Sequence, residues 1–396
     1  MSGQSLTQYH SGPAIVTYRG YSFFTQAGYT LDWTNETFPV IVDNYQQVDE
    51  RVRRIPTKIT FIPAGQWLGL EVLYPYVNIP FGDYVTPVRT FGVIVSNHVG
   101  LANHNLLTGD SVYVKSDNGG VLPTGLTAGV LYFIRAYSSD AVTFHPTRAD
   151  AVAGTNTISI SGGSGINRLV VNNGLTVQNT DGTLYTFWNA AVTKMPDLNL
   201  TAGATPFEEM EISFFPKDGT QMSDPACLYT LSQSAYPGDG GIDPATVLTQ
   251  SPDVSWAVGA PWAAFNTKNG VKIKFAQTYD DIEVDGQPVL TRRYTGLVVT
   301  ATAQPVGPDQ GDLPLKLLVE GVGASIGRSL ASNGGLLAMQ STGMYVTLTK
   351  AALRGGPEEW SVKKERIGEL TWVGTRTFTN GKPNPIFTVG VYGPNS

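Results

Sequence analysis

The chain has 396 residues, a formal net charge of −6, only 15% charged residues, and 44 Gly with 25 Pro. That length accommodates two or three domains with cores of their own, and short alternating Val, Thr and Tyr runs between turn formers point to an all-β class with minor helix. The charge balance excludes a phosphate-neutralising basic block, the single Cys227 excludes an intrachain disulfide or a cysteine-rich metal site, and no apolar run reaches the roughly 18 residues of a membrane span.

In chain order, Met1–Ser5 carries neither a basic region nor an apolar run, so no secretory leader is expected. The first strong strand signal is Gly28-Tyr29-Thr30-Leu31-Asp32-Trp33, apolar at every second position and preceded by Phe23 and Thr25. It returns 242 residues later as Gly270-Val271-Lys272-Ile273-Lys274-Phe275, preceded by Phe265 and Thr267. The same shift carries Val42-Asp43 onto Val284-Asp285, Arg51 onto Arg293, Ile55 onto Leu297 and Thr60 onto Thr302. It also carries Pro63 and Gly65 onto Pro305 and Gly307, matches that mark restricted backbone positions. The best short helical stretch is Gly65–Leu73, with Leu313–Leu318 at its counterpart.

Further along the offset becomes 161: Gly182 matches Gly343, Thr186 matches Thr347, Ala190-Ala191 match Ala351-Ala352, and Pro196 matches Pro357. The offsets differ by 81 residues, so an insert is expected in the first copy. The reading is a first unit split into 12–92 and 174–234, an inserted small β module at 93–173, a Pro/Gly-rich linker at 235–249 and a second unit at 250–396. Within the insert, Asn105–Val114 reads as a turn into an alternating strand, Val130–Ile134 as another, and Gly162-Gly163-Ser164-Gly165 as a closing tract. Such an insertion belongs at a loop tip, because closure entropy grows only with the logarithm of loop length.

No catalytic or metal chemistry is expected. Among His10, His98, His104 and His145 only His98 and His104 are close in sequence, and no further ligand lies at a useful spacing. There is no G-x-S-x-G or H-E-x-x-H motif. Gly321–Gly327 is spaced G-x-G-x-x-x-G and reads as a turn, not a dinucleotide loop. Asp280-Asp281, Glu208-Glu209 and Glu358-Glu359 are adjacent acids, which on a strand point to opposite faces. One charged feature repeats: Arg51, Arg53 and Arg54 after Asp43 stand where the second unit has Arg292 and Arg293 after Asp285. These seven residues are ordinary strand-end charges or Arg–carboxylate contacts between neighbouring subunits, which fix register more than affinity.

The run Gly270–Phe275, Asp280–Gly286, Arg293 and Gly296–Thr300, with Glu369–Gly374, resembles siphophage tail tube proteins. Leu107-Thr108-Gly109-Asp110 with Leu122–Tyr132 resembles a module that recurs inside phage virion proteins. The resemblance implies β-sandwich or barrel-like domains with a flanking helix, no cofactor, and stacked rings in the virion tail, assembled in the host cytoplasm. Partners implied are further copies, the tape measure and other tail proteins. DNA passes through the lumen without sequence-specific binding, and no membrane is involved. A doubled unit suggests three chains per pseudo-sixfold ring. The competing readings are a receptor- or carbohydrate-binding virion protein that uses the insert, its Trp and Tyr stacking on sugar, and a capsid or other head protein.

Overall fold

The computed structural model describes residues 8–10, 14–32, 36–41, 47–54, 58–64, 73–74, 82–83, 88–92, 94–101, 104, 106, 108–117, 119–138, 140–172, 174–215, 228–236, 251–256, 265–282, 291–306, 335–341, 344–355, 368–379 and 382–390. Among them the chain is all-β, with one helix of six residues. The first stretch holds β1 (Gln8–His10), β2 (Ala14–Tyr18), β3 (Tyr21–Asp32), β4 (Glu36–Ile41), β5 (Gln47–Arg54) and β6 (Lys58–Ala64). Next come β7 (Gly82–Asp83), β8 (Val88–Phe91), β9 (Ile94–Val95), β10 (His98–Gly100), β11 (Ser111–Ser116), β12 (Tyr132–Ser138), β13 (Ala141–His145), α1 (Arg148–Ala153) and β14 (Asn167–Val171). Then follow β15 (Leu175–Asn179), β16 (Thr183–Phe187), β17 (Ala191–Lys194), β18 (Leu198–Leu200), β19 (Met210–Ser213) and β20 (Tyr229–Gln233). The last stretch holds β21 (Asp253–Trp256), β22 (Asn266–Ile282), β23 (Thr291–Val306), β24 (Gly335–Ser341), β25 (Met344–Gly355), β26 (Leu370–Gly374), β27 (Phe378–Thr379), β28 (Lys382–Pro383) and β29 (Phe387–Gly390).

One large sheet runs β17-β19-β6-β3-β2-β15-β16-β20, with β1 on β3. The other runs β18-β22-β23-β26-β25-β24-β21, with β29 on β25 and β7 on β23. The period-two pattern that builds them is plain in β22, where Val271, Ile273 and Phe275 are buried and Lys272, Lys274 and Ala276 are exposed.

The two sheets correspond residue by residue along one hairpin of each. In β3–β6, Phe24 faces Ala64, Thr25 faces Pro63, Tyr29 faces Phe61 and Leu31 faces Ile59. In β22–β23, Asn266 faces Val306, Thr267 faces Pro305, Val271 faces Ala303 and Ile273 faces Ala301. Every one of these positions is displaced by 242. Both pairings break register at the same place, after Thr25 and after Thr267, and each break holds a glycine with left-handed φ, Gly28 at +82° and Gly270 at +73°. The β4–β5 ribbon continues the match, slipping between Glu36 and Thr37 as β22 does between Thr278 and Tyr279. A third shared slip follows Val192 in β17 and Leu353 in β25.

The second set also closes on itself. There Val254 and Phe265 exchange main-chain hydrogen bonds of 3.1 and 2.8 Å, joining β21 back to β22. β25 pairs with β24 along its first part and with β26 along its last, the place that β16 and β17 fill as two strands in the first set. Buried polar contacts persist although the side chains differ. Tyr18 Oη donates to the Ala190 carbonyl at 3.3 Å, and at the equivalent position Trp256 Nε1 donates to the Ala351 carbonyl at 3.0 Å. One cluster of buried side chains runs through both sets, from Val16 and Leu31 through Leu198 to Ile273 and Trp372.

The insert is a seven-stranded sheet, β8-β14-β11-β12-β13-β10-β9, around its own core of Phe91, Val112, Ile134, Phe144 and Leu169. It opens at Val88, ahead of the expected 93, because β8 pairs with β14 (Val88 facing Val170, Phe91 facing Asn167). The first and last strands of the module are therefore neighbours, which lets a body strand carry it without stretching. Its helix α1 was not anticipated. Thr147 Oγ1 accepts the Asp150 N–H at 3.1 Å, and Gly154 ends the helix at φ +72°. The helical stretches expected at 65–73 and 313–318, the linker beyond Tyr236, the turn at 321–327, Cys227 and Glu358-Glu359 lie outside the described residues, Leu73 excepted.

Candidate assembly interface

The two sets are joined by a strand that one lends to the other. Between β17 and β19 the chain folds back on itself, with Asn199 N–H on the Pro206 carbonyl at 2.7 Å and Glu208 N–H on the Asp197 carbonyl at 2.9 Å. The outer edge of this small hairpin is β18, which lies antiparallel on β22: Leu198 faces Ile273, Asn199 faces Lys272 and Leu200 faces Val271. Leu198 and Leu200 are buried, so the contact combines main-chain pairing with about 1.5–3 kcal/mol of apolar burial per leucine. Gly270 makes room for it, since a β-carbon there would stand 2.1 Å from the Leu200 carbonyl oxygen. Around the strand, Thr201 Oγ1 donates to the Asn269 carbonyl at 2.9 Å and Tyr279 Oη to the Thr193 carbonyl at 2.5 Å. Tyr74 Oη donates to the Pro196 carbonyl at 2.9 Å while its ring packs on Phe275 and Phe387.

Asp197 opens β18 and accepts the Phe275 N–H at 2.9 Å. Burial pushes its carboxyl above the ordinary carboxylate value, the Phe275 N–H opposes the shift and Glu208 adds to it. A carboxyl that holds its proton more tightly in the folded than in the unfolded chain loses stability as pH rises from the unfolded to the folded value, and the loss persists above. Asp197→Asn keeps an acceptor for the Phe275 N–H and removes the charge. It is expected to raise the thermal midpoint at neutral pH and to lose that advantage in acid below the ordinary value of 3.8. A lowered midpoint at neutral pH would show that the carboxylate charge supports the joint.

The repeated charges fall at the far end of the long hairpin. Arg293 faces Asp280 on β22 and Asp83 on β7, and Arg292 faces Asp281. The acids at 280–281 are thus register partners of the arginines and not of each other. Arg51, Arg53 and Arg54 lie on β5 in the β4–β5 ribbon, with Phe38 across from Arg51 and Glu36 across from Arg54. Asp43 and Asp285 lie outside the described residues. Beside Arg293, burial pushes the Tyr294 phenol up to about 12, against the pull of the Arg376 guanidinium.

The insert docks on the β2–β3 turn through Arg19, which the sequence did not single out, and through Asp110, which it offered only within Leu107–Asp110. Arg19 and Gly20 both have positive φ, +51° and +85°, as a two-residue hairpin turn requires. Arg19 forms an ion pair with Asp110 of the insert, at 3% and 0% exposure. Arg148, at the start of α1, lies over the Tyr21 ring at 3.2 Å. The readable signal was Arg19-Gly20 between two alternating runs; its partner 91 residues on was not readable.

The insert's histidines have structural partners. His104 Nδ1 accepts the Leu106 N–H at 2.9 Å, so Nε2 carries the proton and donates to the Ser138 carbonyl at 2.7 Å. His145 Nδ1 donates to the Thr155 carbonyl at 2.6 Å, and the His98 ring packs on Tyr137. Among the described residues no three His, Cys, Asp or Glu side chains are grouped to hold a metal ion, and no helix is long and apolar enough to cross a membrane. Comparison of the sequence with protein-family models and with curated proteins finds no match.

Proposed function

We propose that this chain is a structural, non-catalytic subunit of a phage tail tube. Three chains, each with two equivalent units, close one pseudo-sixfold ring, and stacked rings surround a lumen that conducts DNA. The observation that carries this reading is the joint: two units matched in register, with β18 of one completing the edge of the other. A head-to-tail contact repeated by rotation closes into a ring when the rotation divides the circle. One such contact is already made within the chain, where covalent linkage raises its effective concentration. Strand addition also occupies main-chain groups that an isolated unit would leave at an open edge. The net charge of −6 suits a wall that DNA passes without sequence-specific contact. The insert, with its own core and adjacent ends, suits decoration of the outer surface. The rings would form in the host cytoplasm around the tape measure, with other tail proteins at their ends.

Negative-stain microscopy and light scattering of the purified protein test the proposal. Rings of three chains that stack into tubes are expected, and a chain without residues 88–171 is expected to assemble alike. Monomers at every concentration, or closed shells, would overturn it.

A further inference from the structure

We infer that β1 is a self-made cap on the edge that receives a neighbouring copy of this chain, and that the incoming copy displaces it during assembly; the inference rests on the head-to-tail reading above. It comes from a coincidence of register. On β22, β18 places Leu198, Asn199 and Leu200 opposite Ile273, Lys272 and Val271. On β3, β1 places Gln8, Tyr9 and His10 opposite Leu31, Thr30 and Tyr29. Leu31, Thr30 and Tyr29 are the residues displaced by 242 from Ile273, Lys272 and Val271, the offset that relates the two hairpins throughout. Two strands from unrelated parts of the chain thus lie antiparallel on the same three positions of equivalent edges.

The second unit's edge is completed by the unit before it. For the first unit, the unit before it in a ring belongs to another chain, and β1 fills the place. The occupant of that edge after assembly is therefore the second unit of another copy. By sequence, the counterpart of β18 in that unit falls within 356–369, between β25 and β26, with Pro357 matching Pro196. A capped edge also keeps the isolated chain from pairing at random, the usual liability of an open strand.

The test uses the full chain with Cys227→Ser. Tyr9→Cys with Thr30→Cys joins direct cross-strand partners, so oxidation locks β1 in place. Oxidised protein is expected to stay monomeric where the reduced form assembles. Removing residues 1–10 is expected to lower the assembly concentration roughly tenfold, as for an edge that the cap leaves open about a tenth of the time. Thr30→Cys with Trp360→Cys, the counterpart of Asn199, is expected to give a ladder of chain-to-chain disulfides in assembled material. Equal assembly by the locked and reduced forms would overturn the cap while leaving the tube reading intact, as would assembled material without that ladder. Failure of the unsubstituted chain to assemble at all would remove the tube reading itself, and the cap with it.

Discussion

Gly270→Ala is expected to detach β18 from β22 and to destabilise the protein by about 4 kcal/mol, the sum of left-handed backbone strain and re-exposed leucines. The added methyl meets the Leu200 carbonyl oxygen at 2.1 Å and the Leu200 carbonyl carbon at 2.8 Å. Neither belongs to a flexible side chain that can turn away, and β18 is braced from behind by the hairpin bonds of Asn199 and Glu208. Gly28→Ala places the same substitution in the equivalent bulge, at φ +82°. There the edge strand is β1, which pairs with β3 alone among the described residues, and the expected cost is the strain itself, about 1–2 kcal/mol. Chemical denaturation of both variants measures the difference, and amide exchange at Val271–Ile273 locates it. Equal costs would mean that β18 contributes nothing particular at the joint.

Arg19→Leu is expected to cost about 3–5 kcal/mol, because it strips the guanidinium from an Asp110 carboxylate that has no access to water. The pair need not be a net source of stability, since bringing both charges out of water offsets most of their attraction. Its consequence is orientation: it ties the module to one turn of the body at one angle. The double variant Arg19→Leu with Asp110→Leu is accordingly expected to recover most of the loss. Calorimetry of the two single variants and the double one closes the cycle. A single-variant cost under about 1 kcal/mol, the range of exposed pairs, would show that water reaches the carboxylate.

The repeat of the β3–β6 pairing in β22–β23 was legible because strands announce themselves by period two and bulges by glycine. Gly28 and Gly270 stand at the same place in the two matched strand signals, and the structure puts a register break at each; the matched Ala190 and Ala351 each offer a carbonyl to a buried bond. The joint was not legible. Leu198-Asn199-Leu200 is too short to carry a period, and its partner is fixed by the geometry of two folded units. The pairing of Arg19 with Asp110 was silent for a related reason, since a buried ion pair has no sequence spacing. The helix in the insert does carry a signal, Thr147 three residues before Asp150 and Gly154 past the end, set among stronger strand patterns. The arginines drew notice through repetition; the acids opposite them in register are Asp83, Asp280 and Asp281 for Arg292 and Arg293, and Glu36 for Arg54.

The side-by-side course of β8 and β14 has a consequence for how such a chain can change over generations. The polypeptide leaves the body and returns to it side by side, and the described apolar core beyond that point is the module's own. A descendant can rewrite or exchange the module wholesale without re-registering any strand of the body, provided that the Arg19 contact is kept or both its members are lost together. Each body strand, by contrast, answers to its sheet, to its twin in the other half and to whichever copy lies alongside, so variety should gather in the ornament while the scaffold stands still.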